Sequence, residues 1–119
     1  MEDIFYINKA KIHPEKMCEL FKNAFPKRQL LLTPPVEEYM QYDIVIHISN
    51  TSIRFGFIVD LKGVTLEDKP LKIYQTMRPE TFLIITYRTR LHAIVIELLE
   101  LIMTEYGGLA GCDDDWDIM

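Results

Sequence analysis

Apolar residues along this chain recur at two spacings, and the switches between them mark the elements. Residues 4–8 open with a short β-rich run. Pro14 then suits the first position of a helix, with Glu15 and Lys16 as exposed-type residues behind it. Met17, Leu20, Phe21 and Ala24 form its apolar stripe, flanked by Cys18 and Phe25, and Pro26 stops it. Residues 28–33 read as a strand ended by Pro34-Pro35. Two β-rich runs, 42–48 and 53–60, flank the polar turn Ser49-Asn50-Thr51-Ser52 and predict a hairpin. A four-residue turn pairs Ile48 with Ile53, Ile46 with Phe55 and Ile44 with Phe57. It sets His47 against Arg54 and Val45 against Gly56. One face is then wholly apolar and the other mixed, as a sheet with one covered face requires.

Residues 62–70 read as a loop and 71–74 as a short edge strand. Arg78-Pro79 interrupts before 81–87, a β-branched and aromatic run of the fully buried kind. A long helix over 90–106 follows, with Thr89 as its cap. Its polar stripe is narrow: Arg90, Ala93, Glu97, Glu100 and Thr104. Leu91, Ile94, Val95, Leu98, Leu101 and Ile102 form a wide apolar face. Gly107 ends it as a left-handed cap, and 109–112 returns as a brief strand. The pattern predicts an α+β fold: an antiparallel sheet of about five strands with two helices packed on one face. No repeat, low-complexity tract or linker divides the chain, so residues 1–119 read as a single domain.

Charge changes the picture more than composition does. The chain is 49% apolar and 26% charged, ordinary for a globular domain, with a net charge of −5. All 13 basic residues lie at or before Arg90, whereas residues 91–119 hold seven carboxylates and no Lys or Arg. Four of these, Asp113, Asp114, Asp115 and Asp117, surround Trp116, the one tryptophan in the sequence. Repulsion within that cluster costs free energy unless a cationic partner or solvation offsets it. A net acidic chain argues against direct nucleic-acid binding, which calls for a basic face. The first residues lack a basic, then apolar, leader pattern, and no apolar run approaches a membrane span. Cys18 and Cys112 fit reduced thiols better than a disulfide framework. The expectation is a soluble, cytoplasmic protein without a membrane partner.

The chemistry-bearing residues do not assemble into a catalytic set. His13, His47 and His92 lack the spacing of a zinc site. Cys18 falls near a helix's apolar stripe, and acids beside Cys112 would make its thiol less reactive. Two Asp, two spacers and an Asp formally match a Mg²⁺–diphosphate pattern, but here they follow a Gly-rich turn rather than lying on a long helix. No phosphate loop and no nucleophile elbow occur. The sequence therefore predicts no enzyme, no cofactor and no bound metal.

The run Leu98-Leu99-Glu100-Leu101-Ile102-Met103-Thr104-Glu105-Tyr106-Gly107-Gly108, followed by the acidic, Trp-bearing stretch, resembles bacterial immunity proteins. The likeness covers residues 88–117 and consists of a helix, Gly-Gly and an Asp-rich segment. It implies an antitoxin to a polymorphic or contact-dependent-inhibition toxin, with a cognate basic protein as partner. Asp113, Asp114, Asp115, Trp116 and Asp117, with Glu97 and Glu100 nearby, would then be the partner-binding residues. Two other classes remain: a small metal- or ligand-binding domain using the Asp cluster, and a regulatory adaptor that self-associates through a sheet edge. Oligomeric state, toxin identity and the inward or outward packing of Trp116 stay open.

Overall fold

The computed structural model describes residues 2–33, 41–58 and 68–112, which carry six strands and three α-helices. In chain order these are β1 (Glu2–Asn8), α1 (Pro14–Ala24), β2 (Gln29–Thr33), β3 (Gln41–Ile48), β4 (Thr51–Ile58), α2 (Asp68–Met77), β5 (Thr81–Tyr87), α3 (His92–Tyr106) and β6 (Leu109–Gly111). A 3-10 turn, Thr89–Leu91, leads into α3. All six strands form one sheet in the order β2-β3-β4-β5-β1-β6, antiparallel throughout. The fold is α+β, with one strand more than the pattern suggested.

The two central strands explain their own sequences. β1 lies between β5 and β6, and β5 between β4 and β1. Both faces of each are covered, so alternation gives way to near-continuous apolar runs. On one face Ile4, Tyr6, Ile44, Ile46, Ile53, Phe55, Leu83 and Ile85 meet Met17 and Phe21 of α1 and Val95, Leu98, Leu99 and Ile102 of α3. The Phe21 and Phe55 rings stand 4.9 Å apart and tilted, an arrangement worth about 0.5–1.5 kcal/mol beyond burial. Within α1, Cys18 is buried and Ala24 exposed, so the stripe is rotated slightly from the expected one.

The opposite face carries the main correction. Residues 71–74 are not an edge strand but the middle of α2, whose Ile73, Tyr74 and Met77 pack on Phe5, Ile7 and Phe82. Tyr74 meets Phe82 edge-on at 5.3 Å. Ile73, Tyr74 and Met77 follow the i, i+1, i+4 spacing of a helical face, and Pro70 sits in the first turn, where no backbone donor is needed. The helices therefore divide, α1 and α3 on one face and α2 on the other, rather than both lying on one face.

The β3–β4 hairpin is real, but its register differs by two residues. Ile46 pairs with Ile53, Ile44 with Phe55 and Ile48 with Thr51, around the two-residue turn Ser49-Asn50. Ser49 has φ 53° and Asn50 does not share the positive φ. That is the pattern of a II′ turn, whose twist matches antiparallel strands better than a four-residue polar loop. A shift of two preserves the faces, so the apolar side was sorted correctly. His47 lies opposite Ser52, and Val45 opposite Arg54.

Candidate functional site

The acidic end begins from a fixed base. Gly107 leaves α3 with φ 74° and ψ −150°, while its N–H still donates to the Met103 carbonyl at 2.9 Å. Its φ is positive as expected, but ψ places it outside the left-handed helical region, in a conformation open essentially to glycine alone. Tyr6, fully buried in β1, donates its hydroxyl to the Gly107 carbonyl at 2.5 Å. Asn8 Nδ2 donates to that phenol oxygen at 2.9 Å and to the Tyr106 carbonyl at 3.0 Å. Gly108, at φ 103°, packs so tightly on β1 that a Cβ there would stand 2.6 Å from Tyr6 Oη and 2.7 Å from the Ile7 carbonyl. β6 then pairs Leu109 with Ile7 and Gly111 with Phe5. Burial raises the Tyr6 phenol above its ordinary value against the lowering effect of the Asn8 hydrogen bond, so it serves as a neutral donor.

Of the residues expected to bind a partner, Glu97 and Glu100 are exposed on the outer stripe of α3, together with Ala93 and Thr104. Asp113, Asp114, Asp115, Trp116 and Asp117 lie outside the described residues. The described structure therefore does not bring the two groups together. Tyr106, at the end of the helix, has its phenol raised by burial, then by the Glu105 and Glu19 carboxylates. Negative charge thus gathers where α3 ends against α1.

Other candidates take structural roles. His13 caps α1 through its backbone, accepting from Lys16 and Met17 N–H at 3.0 and 3.2 Å, without a side-chain cap. Cys18 is a packed core residue, and Cys112 is half-buried and free of a disulfide. His92 Nδ1 lies 2.6 Å from the Tyr87 hydroxyl. Burial first, then the Cys112 thiol and the Glu2 and Asp3 carboxylates, push the Tyr87 phenol up to about 12, which suits a structural hydrogen bond. Thr89 does not cap α3; it opens the 3-10 turn and donates its hydroxyl to Glu2 Oε1 at 3.2 Å. Among the described residues no cluster of three or more metal-ligating side chains occurs, and no helix is long and apolar enough to cross a membrane.

A cationic cleft was not anticipated. The turn residues Asn50 and Thr51 face Arg88 across two adjoining hollows. Thr89 and Arg90 extend one, while Ser52, Arg54 and Thr86 extend the other. Arg54 and Thr86 are neighbours across β4 and β5, so the sheet register brings distant arginines together. Among the described residues neither lining contains a carboxylate, although Glu2 and Asp3 stand at its border, accepting from Thr89 and Thr86. Arg54 is 61% exposed and reaches Asp43 only at 3.9 Å, a pair worth about 0–1 kcal/mol. Arg90 donates to Asn50 Oδ1 at 3.3 Å. The sequence signal was Arg88-Thr89-Arg90 near a polar hairpin turn, but their proximity depends on which strands are adjacent. Comparison with known proteins adds no relative: no family model, curated protein or solved structure matches the chain significantly.

Proposed function

We propose that this chain is an immunity protein, a binding protein that neutralises a cognate toxin whose working surface is basic. The observation that carries the reading is the segregation of charge: seven carboxylates and no Lys or Arg over residues 91–119. Glu97 and Glu100 project from a helix whose inner face is held by Val95, Leu98, Leu99 and Ile102. The sheet beneath is packed on both faces, which suits a surface that must arrive preorganised. On this reading the chain performs no reaction of its own.

The mechanism is electrostatic and steric. A nuclease presents a cationic groove to phosphates, and Asp113, Asp114, Asp115 and Asp117 would occupy it in their place. Long-range attraction accelerates the encounter, by one to three orders of magnitude for well-matched charge. Trp116, desolvated in the complex, would slow release as a buried aromatic anchor. The test is replacement of the four Asp by Asn in the full chain. Protection against the cognate toxin domain should be lost, and the salt dependence of association reduced. Unchanged protection would reject the acidic segment as the interface.

A further inference from the structure

β2 and β6 are the two edges of the sheet, and among the described residues neither pairs with a further strand. β6 is three residues long and ends in Gly111, whereas β2, Gln29–Thr33, is five residues long and holds no charge, proline or glycine. Edge strands ordinarily carry such a residue to deter pairing with another chain. Leu31, at 54% exposure, is also the only large apolar side chain left exposed among the described residues. The backbone groups that β2 offers follow from the hairpin. Ile48 and Thr51 close a two-residue turn, so they form a hydrogen-bonded pair, and alternate pairs along the β3–β4 ladder do the same. Ile44, Ile46 and Ile48 thus turn their N–H and C=O towards β4, while Asp43, Val45 and His47 turn theirs towards β2. Thr33, Leu31 and Gln29 meet those groups in register. Leu30 and Leu32 are left with N–H and C=O directed outward from the sheet edge.

We infer that β2 is a self-association edge whose occupant is β2 of a second copy of this chain, antiparallel about a two-fold axis at Leu31. The strand is close to self-complementary about that residue: Leu30 and Leu32 flank it, and two uncharged polar residues, Gln29 and Thr33, end it. Antiparallel pairing sets Leu30 of each copy opposite Leu32 of the other, and each of these pairs exchanges both N–H···O bonds. Leu31 then faces Leu31 of the second copy in a non-hydrogen-bonded pair, where Cα atoms approach to about 4.5 Å and side chains lie closest. Val45 is beside Leu31 on the same face and only half-buried, so pairing creates an unbroken apolar row across both copies. On the other face Leu30 and Leu32, partly buried against the core, extend it into the second copy. Arg28 is the nearest charged residue along the chain. The two-fold sets the two Arg28 Cα atoms about 20 Å apart, beyond the Debye length of about 8 Å. Both copies use the same edge, so the assembly closes at two. The inference does not rest on the toxin-binding reading.

Sedimentation equilibrium of the full chain, without any toxin, measures the association from micromolar to millimolar concentration. The wild type should pass from monomer to dimer over that range. Leu31→Lys should weaken association by at least about tenfold, because both copies lose a covered leucine and gain facing like charges. Circular dichroism should stay unchanged, since Leu31 is exposed in the single chain. Introduced cysteines test the register in a Cys112→Ser background, where the remaining Cys18 is buried. Leu31→Cys should oxidise to a covalent dimer, since the Cα spacing lies within disulfide range. Gln29→Cys and Thr33→Cys should each fail to cross-link alone, because like positions stand about 14 Å apart, and should cross-link when mixed. A wild type that stays monomeric throughout, or a dimer that survives Leu31→Lys and cross-links in neither arrangement, would overturn the proposal.

Discussion

Replacing Gly108 by Ala tests whether the acidic segment starts from a rigid base. The added methyl would lie 2.6 Å from Tyr6 Oη and 2.7 Å from both Tyr6 Cε1 and the Ile7 carbonyl oxygen. Ordinary carbon contacts need about 3.5 Å or more, so something must move by nearly 1 Å. Tyr6 has 0% exposure, and Ile7 is paired on both sides, with Phe82 and with Leu109, so neither yields readily. The backbone adds to this, since φ 103° is a conformation that side chains rarely adopt. Overpacking costs about 1–3 kcal/mol and a disfavoured backbone region about 1–3 kcal/mol, which places the loss at roughly 2–6 kcal/mol. That is a large share of the roughly 5–15 kcal/mol that stabilises a domain. Gly107→Ala is the control, because a Cβ there meets nothing within 4 Å and only the backbone strain remains. Urea denaturation followed by circular dichroism compares the two. The Gly108 variant should lose clearly more stability; equal losses would refute the close-packing argument and the rigid base with it.

Four further outcomes follow from the same contacts. Tyr6→Phe removes a donor to Gly107 and an acceptor from Asn8. It should lower stability by about 1–3 kcal/mol in the same denaturation assay. Tyr74→Ala strips α2 of its edge-on contact with Phe82 and should cost about 2–3 kcal/mol, against about 0.5 kcal/mol for a solvent-facing edge residue. The Tyr87 phenol keeps its proton to about 12, whereas an unfolded phenol releases it near 10.0, so the folded state binds more protons between those values. Stability from this group is therefore full below about pH 10 and is lost as pH rises towards about 12; the phenolate absorbance of Tyr87→Phe should lack a step near pH 12. Calorimetric titration with Mg²⁺, Mn²⁺ or Ca²⁺ should release no binding heat, since the acidic residues are read as a protein contact; stoichiometric binding would favour the metal-binding alternative.

What the sequence made legible is the part governed by local periodicity. The buried positions of β5, the apolar side of the hairpin and the boundaries of α1 follow from spacing alone. The turn was misjudged because Ser49 and Asn50 suffice to reverse the chain, and Thr51 and Ser52 then join the ladder. Residues 71–74 read as a strand because Ile73 and Tyr74 have β propensity. Their helical state is decided by Phe5, Ile7 and Phe82 beneath them, a tertiary effect that propensity does not contain. The cleft was illegible for a related reason. Arg54 and Arg88 line one hollow because β4 neighbours β5, and no local pattern specifies that adjacency. Glu97 and Glu100, by contrast, were readable as the wet stripe of a helix.

The most direct test of the central claim is growth of a bacterial host expressing the cognate toxin domain that the proposal requires, with and without the chain present. The wild type should restore growth, and the variant with Asp113, Asp114, Asp115 and Asp117 replaced by Asn should fail to restore it at equal folded abundance. Failure of the wild type to protect, or equal protection by the variant, would contradict the claim that this acidic segment neutralises a toxin.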